Sequence, residues 1–124
     1  ELCQLKSPHE VMTLSVTADR QTLKLPTDKI LYIDHQNRVT RIHTAERVIP
    51  VSGGFQEVTA ALQKDKRFLA CYRGILINMD HISHVDSQTF RLINGEELPI
   101  SLRNRKQLRE VYRQYVFSGM EGIV

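Results

Sequence analysis

Residues 67–108 read RFLACYRGILINMDHISHVDSQTFRLINGEELPISLRNRKQL, and the punctuation of this stretch decides the fold. Short apolar strands are predicted at Phe68 to Tyr72, Ile75 to Ile77 and Ile82 to Val85, each too brief for a helix and each closed by a polar or glycine break. Thr89 to Ile93 alternates, with Phe90 and Leu92 on one side. Asn94-Gly95 then has the composition of a type I′ turn, and Glu97 to Ile100 returns. Pro99 cannot donate to a ladder, so it marks an edge strand or an early strand end.

Upstream, Val11 to Val16 (VMTLSV) and Thr22 to Leu25 alternate on either side of ADRQ, which predicts a hairpin or two consecutive short strands. Ile30 to Ile33 is a further strand, followed by a polar turn from Asp34 to Arg38. Val39 to His43 follows, with Val39, Arg41 and His43 on one face and Thr40 and Ile42 on the other. Thr44 to Arg47 turns the chain into Val48 to Val51. Gly53-Gly54 marks a change of period: Phe55, Val58, Ala61 and Leu62 are spaced for one face of a helix of two to three turns. Downstream, Ser101 is placed as the N-cap of a helix from about Leu102, with Leu108, Val111, Tyr112, Tyr115 and Val116 as its apolar stripe and Gly119 as its end. The expected class is mostly β, with one short central helix and a C-terminal helix.

A chain of 124 residues is long enough for one cored domain and short for two, so residues 1–124 are read as a single domain. The 41% hydrophobic and 25% charged residues are ordinary for a soluble protein. A net charge of +3 favours a polyanionic partner without singling out nucleic acid. Cys3 and Cys71 lie far apart and in no metal spacing, which suggests a reduced, cytoplasmic setting. No apolar run approaches the roughly 20 residues of a membrane span, and ELCQLKSPHE lacks the apolar centre of a signal peptide. The start at Glu1 is read as the start of an excised piece of a longer chain.

Basic residues gather near turns: Arg38 with Arg41; Lys64, Lys66, Arg67 and Arg73; Arg103, Arg105, Lys106 and Arg109. Such segregation would give one positive edge able to track a phosphate backbone, with arginines that reach guanine acceptors; the alternative is a solvated surface. Arg73, between Tyr72 and Gly74, is expected on a tight connection between two strands. Asn78 would either read a base edge or, more commonly at such a position, bond backbone at a strand end. Basic residues at a helix N-terminus oppose the helix dipole, so Arg103 to Arg109 are not there for helix stability.

Catalytic chemistry finds little support. His81 and His84 have metal-type spacing only on a helix, and in a strand they face opposite sides. Cys71 sits in an apolar strand, as an inert thiol would. There is no Gly-rich phosphate loop, G-x-S-x-G or H-E-x-x-H. No catalytic residue, metal site or cofactor is therefore expected.

In order, ILYID, a turn, VTRIHT, a short helix ending at Leu62, DKRFLACYRGILINMDHI, the hairpin FRLINGEELPIS and a basic SLRNRKQL resemble the LytTR domain from about Leu23 to Leu108. The resemblance implies an elongated stack of small antiparallel β-sheets, with a family core at about 8–110 and a helical extension at about 102–118. It also implies a bacterial DNA-binding output domain, usually behind a receiver domain phosphorylated by a sensor histidine kinase. Such domains place loops into successive major grooves of double-stranded DNA along direct repeats in promoters. Carried onto this chain, the contacts fall on Thr40 with Arg38 and Arg41, on Arg73, and on Arg103 with Asn104; Asn78, Arg105 and Lys106 complete the expected DNA-binding set. Departures are Val39 where many members carry an aromatic, Thr40 at the first contact, Gly74 in place of Ser, and Leu102 inserted before Arg103.

The function expected is sequence-specific DNA binding without chemistry, with a homodimer on DNA as a further expectation. The rival is a protein-interaction module in which the C-terminal helix and edge strands bind a partner and the basic loops are solvated surface.

Overall fold

Strand β3 (Ile30–Gln36) lies at the centre of a five-stranded antiparallel sheet ordered β5-β4-β3-β7-β6, which it forms with β4 (Val39–Thr44), β5 (Val48–Val51), β6 (Phe68–Tyr72) and β7 (Ile75–Asn78). The computed structural model describes residues 13–123, with side chains through residue 118. A two-stranded sheet of β1 (Thr13–Ala18) and β2 (Gln21–Pro26) precedes it. A three-stranded sheet, β10-β9-β8, is built from β8 (Ile82–Val85), β9 (Thr89–Leu92) and β10 (Glu97–Pro99). Helix α1 (Phe55–Thr59) stands between β5 and β6, and α2 (Arg105–Ile123) closes the described chain. The expected mostly β class, with a short central helix and a C-terminal helix, is the one adopted.

The central sheet is buried on both faces. Ile30, Ile33, Ile42, Ile49 and Leu76 pack with Leu14 and Val16 of the first hairpin and with Val58 and Leu62. On the opposite face Leu31, Tyr32, Cys71 and Ile77 meet Ile82, Phe90, Leu92 and Leu98, and Leu108, Tyr112 and Tyr115 of α2 pack against this second core. A strand buried on both faces reads as a continuous apolar run rather than an alternating one, which is why ILYI carries no polar residue. A register shift between Ile30 and Tyr32 resets the phase, so that Ile30 and Ile33, three apart, share one core. Phe90 meets Tyr112 edge to face at 5.5 Å, and the Tyr112 hydroxyl donates to the Ile82 carbonyl, which fixes α2 on the three-stranded sheet.

Several local expectations are corrected. Asp34, His35 and Gln36 belong to β3, and the turn is only Asn37-Arg38, both with left-handed φ (+53° and +66°). The strand persists because the Asp34 carboxylate is met by Arg41 directly opposite in the register. The Asn94-Gly95 hairpin forms, but not with a type I′ turn. Only Gly95 of the pair has positive φ (+93°), and its N–H donates to the Leu92 carbonyl, as when a type I turn is followed by a left-handed glycine.

Helix α2 begins at Arg105 rather than Leu102. The Ser101 N–H donates to the Cys71 carbonyl, which holds residue 101 against β6, and the Leu108 N–H donates to the Asn104 carbonyl. Nor does Gly119 end this helix: an interior glycine costs only about 1 kcal/mol relative to alanine and does not forbid continuation. Val11 and Met12 of the first expected strand, like Cys3, His9 and the expected family-core boundary near residue 8, lie outside the described residues. Pro99 occupies an edge strand, as expected.

Candidate nucleic-acid interface

Two hairpin turns leave the central sheet at the same end. Gln36 pairs with Val39, and Asp34 with Ile75, so Asn37-Arg38 between β3 and β4 lies beside Arg73-Gly74 between β6 and β7. The His35 N–H donates to the Gly74 carbonyl (3.2 Å), tying the second turn to the end of β3. Gly74 has φ +76°, a backbone conformation that a side chain at this position would strain. Arg38 and Arg73 are both exposed. The segment from Ser101 joins this end through its bond to the Cys71 carbonyl, two residues before Arg73, and carries the exposed Arg103, Asn104 and Lys106.

Charge at this end is sorted by ion pairing. Arg41 grips Asp34 with Nε to Oδ1 (3.2 Å) and Nη2 to Oδ2 (2.8 Å), and also donates to the Gln36 amide oxygen. His43 Nε2 lies 3.0 Å from the same Oδ1, with its ring stacked on Tyr32 at 3.9 Å. Burial pushes the Asp34 carboxyl up, but hydrogen bonds and charge from Arg41 and His43 outweigh it and hold the group below its ordinary range. Arg41 thus serves first to satisfy Asp34.

Two expected contact residues are withdrawn from the accessible surface. Thr40 has no exposed area and its hydroxyl donates to the Gly53 carbonyl (3.0 Å), so it anchors the Gly53-Gly54 loop. Asn78 also has no exposed area. Its amide donates to the Ile30 carbonyl (2.9 Å) and its oxygen accepts the Asp80 N–H (3.0 Å), the backbone-bonding alternative weighed for it. Arg105 is half-buried, its guanidinium donating to the Ile100 carbonyl (3.1 Å), and so it positions the start of α2.

The basic groups do not form one edge. Lys64, Lys66 and Arg67 precede β6, and even Arg67 is a full strand away from Arg73, about 20 Å at 3.3 Å per residue. Arg67 is bound there to Asp65 (2.8 Å) and to the Thr27 hydroxyl (2.7 Å).

His81 Nε2 meets the Asp28 carbonyl (2.7 Å), and His84 lies on β8. Among the described residues no three His, Cys, Asp or Glu side chains are grouped to hold a metal ion. Cys71 has no exposed area, and burial pushes its thiol up to about 12, far from a thiolate at neutral pH. Among the described residues no helix is long and apolar enough to cross a membrane.

His35 was not among the residues expected at the DNA interface. It is exposed at the end of β3 between the two arginine turns, with its ring tilted against Phe55. Its signal was hidden because the polar run Asp34 to Arg38 resembles a loop.

The family model described as LytTr DNA-binding domain matches residues 20–113. A solved structure described as the LytTr DNA-binding domain of a methyl-accepting/DNA response regulator from Bacillus cereus is similar, with a TM-score of 0.66 and 20% identity over 80% of this chain and 94% of that one. At that identity the likeness is one of fold. No curated protein gives a significant match.

Proposed function

The chain belongs to the LytTR DNA-binding domain family, and from that premise we propose that it is the sequence-specific output domain of a bacterial response-regulator-type transcription factor. The family is one of DNA-binding domains rather than enzymes. The observation that carries the reading is the common end shared by the exposed Arg38 and Arg73 turns, with Arg103, Asn104 and Lys106 on the segment tied to Cys71. Arginine on a short turn can present its planar fork to guanine O6 and N7, whereas Lys106 offers a point charge to phosphate.

In this proposal Arg73 and Arg103 read bases in successive major grooves along promoter direct repeats. Arg38, Asn104 and Lys106 set register on the backbone, and Arg41 contributes less because Asp34 already engages it. An upstream receiver domain, its sensor histidine kinase, pairing of two copies on DNA and action in the cytoplasm are parts of the same proposal. The test is selection from a pool of random duplex DNA at two salt concentrations. Enrichment of a short direct repeat, with affinity falling steeply as salt rises, is the expected result; retention without sequence enrichment or salt dependence overturns it.

A second reading, a protein-interaction module, draws on the outward side of α2, where Val111, Val116 and Phe117 are 38%, 39% and 57% exposed. It expects the arginine turns to be replaceable without loss of partner binding.

A further inference from the structure

The β1–β2 hairpin carries a third arginine turn. Ala18 pairs with Gln21, leaving Asp19-Arg20 as a two-residue loop with φ +54° and +66°, nearly the same backbone as Asn37-Arg38 at +53° and +66°. Two anchors fix where it points. The Ser52 N–H donates to the Thr17 carbonyl (2.7 Å), and Ser52 follows Val51, the partner of Thr40 at the Arg38 end of the sheet. At its other end the hairpin joins Thr13 to Pro26, and Pro26 runs through residues 27–29 into Ile30, at the far end of β3. The hairpin therefore runs along the central sheet, with its arginine turn at the same end as Arg38 and Arg73.

Its outward face has a uniform chemistry. Leu14, Val16, Leu23 and Leu25 turn into the core, whereas Thr13, Ser15, Thr17, Thr22 and Lys24 are exposed, with Thr17 opposite Thr22 and Ser15 opposite Lys24. Hydroxyls and cations are the donors that phosphate oxygens accept, and they carry no base preference. Asp19 is the one acid of the hairpin, confined to the turn.

We propose that this hairpin is a DNA-backbone contact, with Arg20 on a phosphate and the Thr17 and Thr22 hydroxyls beside it, flanking the turns that read bases. This rests on the DNA-binding reading above and extends it to an element that reading does not use. Arg20→Gly is the informative variant, because glycine adopts the left-handed backbone at this position more readily than arginine and Asp-Gly favours the same turn.

The experiment measures binding of wild type, Arg20→Gly, Arg20→Lys and Lys29→Ala to a duplex selected from the random pool and to a mixed-sequence duplex of equal length, across a salt series. Arg20→Gly should lose affinity about three- to tenfold at moderate salt, equally on both duplexes, and its log-affinity slope against log salt should shrink by roughly one phosphate contact. Arg20→Lys should recover most of the loss, and Lys29→Ala, at the far end of the hairpin, should bind as wild type. Wild-type affinity and slope for Arg20→Gly, while Arg73→Ala still fails on the selected duplex, would overturn the hairpin contact and leave the base-reading turns standing. Failure of the wild-type domain to bind either duplex in a salt-dependent way overturns both.

Discussion

The Arg41 guanidinium lies fork to fork on the Asp34 carboxylate, between residues that are direct partners across β3 and β4, and His43 meets the same carboxylate from two residues further along β4. One acid thus engages two potential cations next to a turn whose own arginine is exposed. Because the pair is partly open to water, Arg41→Ala should lower stability by only roughly 0.5–1 kcal/mol. It should also reduce the salt dependence of DNA binding less than Arg38→Ala does. A salt slope that falls as far for Arg41→Ala as for Arg38→Ala would show that Asp34 does not hold the charge back.

Acid should unfold the domain partly through this carboxylate. Asp34 is depressed by Arg41 and His43 against the opposing effect of burial, and Asp65 is depressed by the hydrogen bond from Arg67. A carboxyl that releases its proton more readily when folded stabilises fully above its unfolded value, about 3.9 for Asp, and that contribution disappears as pH falls through the folded value. Asp34→Asn should therefore lower Tm at pH 7 and flatten the acid limb of a Tm-against-pH profile, with Asp34→Asn/Asp65→Asn flattening it further. An acid limb unchanged in the double variant would place the linkage elsewhere.

Base reading and phosphate binding should separate by residue. Arg73→Ala is expected to lose about 1–3 kcal/mol on the selected site and to relax preference at one base position, while Lys106→Ala weakens all sequences alike. Competition with singly substituted duplexes measures both, and equal losses for Arg73→Ala on cognate and scrambled DNA would assign it to the backbone.

Asn78→Ala should act on stability rather than recognition. It removes the amide that donates to the carbonyl of the fully buried Ile30 and the oxygen that accepts the Asp80 N–H, an expected cost of roughly 1–3 kcal/mol. Denaturant titration gives the loss, and DNA affinity corrected for the folded fraction should stay at the wild-type value. A drop in corrected affinity would return Asn78 to the interface.

Where local chemistry was strong, the fold could be read from the residues alone. The strands from Phe68 to Pro99, the edge placement of Pro99 and the helix after Gly53-Gly54 all follow from period and punctuation. What was missed depended on partners distant in sequence. Asp34 to Gln36 read as a turn because the Arg41 that keeps Asp34 in a strand lies across the ladder. Ser101 read as a cap because its bond to Cys71 spans thirty residues of sequence. Of the residues named for the candidate interface by type, Arg38, Arg73 and Arg103 are exposed, whereas Thr40 and Asn78 are buried, which type alone does not tell. Only register could show that Arg20, Arg38 and Arg73 belong to one end while Arg67 belongs to the other.

Strand β3 supplies Ile30 and Ile33 to one core and Leu31 and Tyr32 to the other, and this sharing bears on how the domain comes apart. Neither core has a boundary along which it can be peeled away, because loosening either one displaces the same seven-residue strand. The first hairpin and α2, on opposite sides, are therefore linked in cooperativity: the domain should melt in a single transition, with calorimetric and van't Hoff enthalpies equal. The slowest amide exchange should cluster on β3, with hairpin and helix following its global opening rather than fraying on their own schedules.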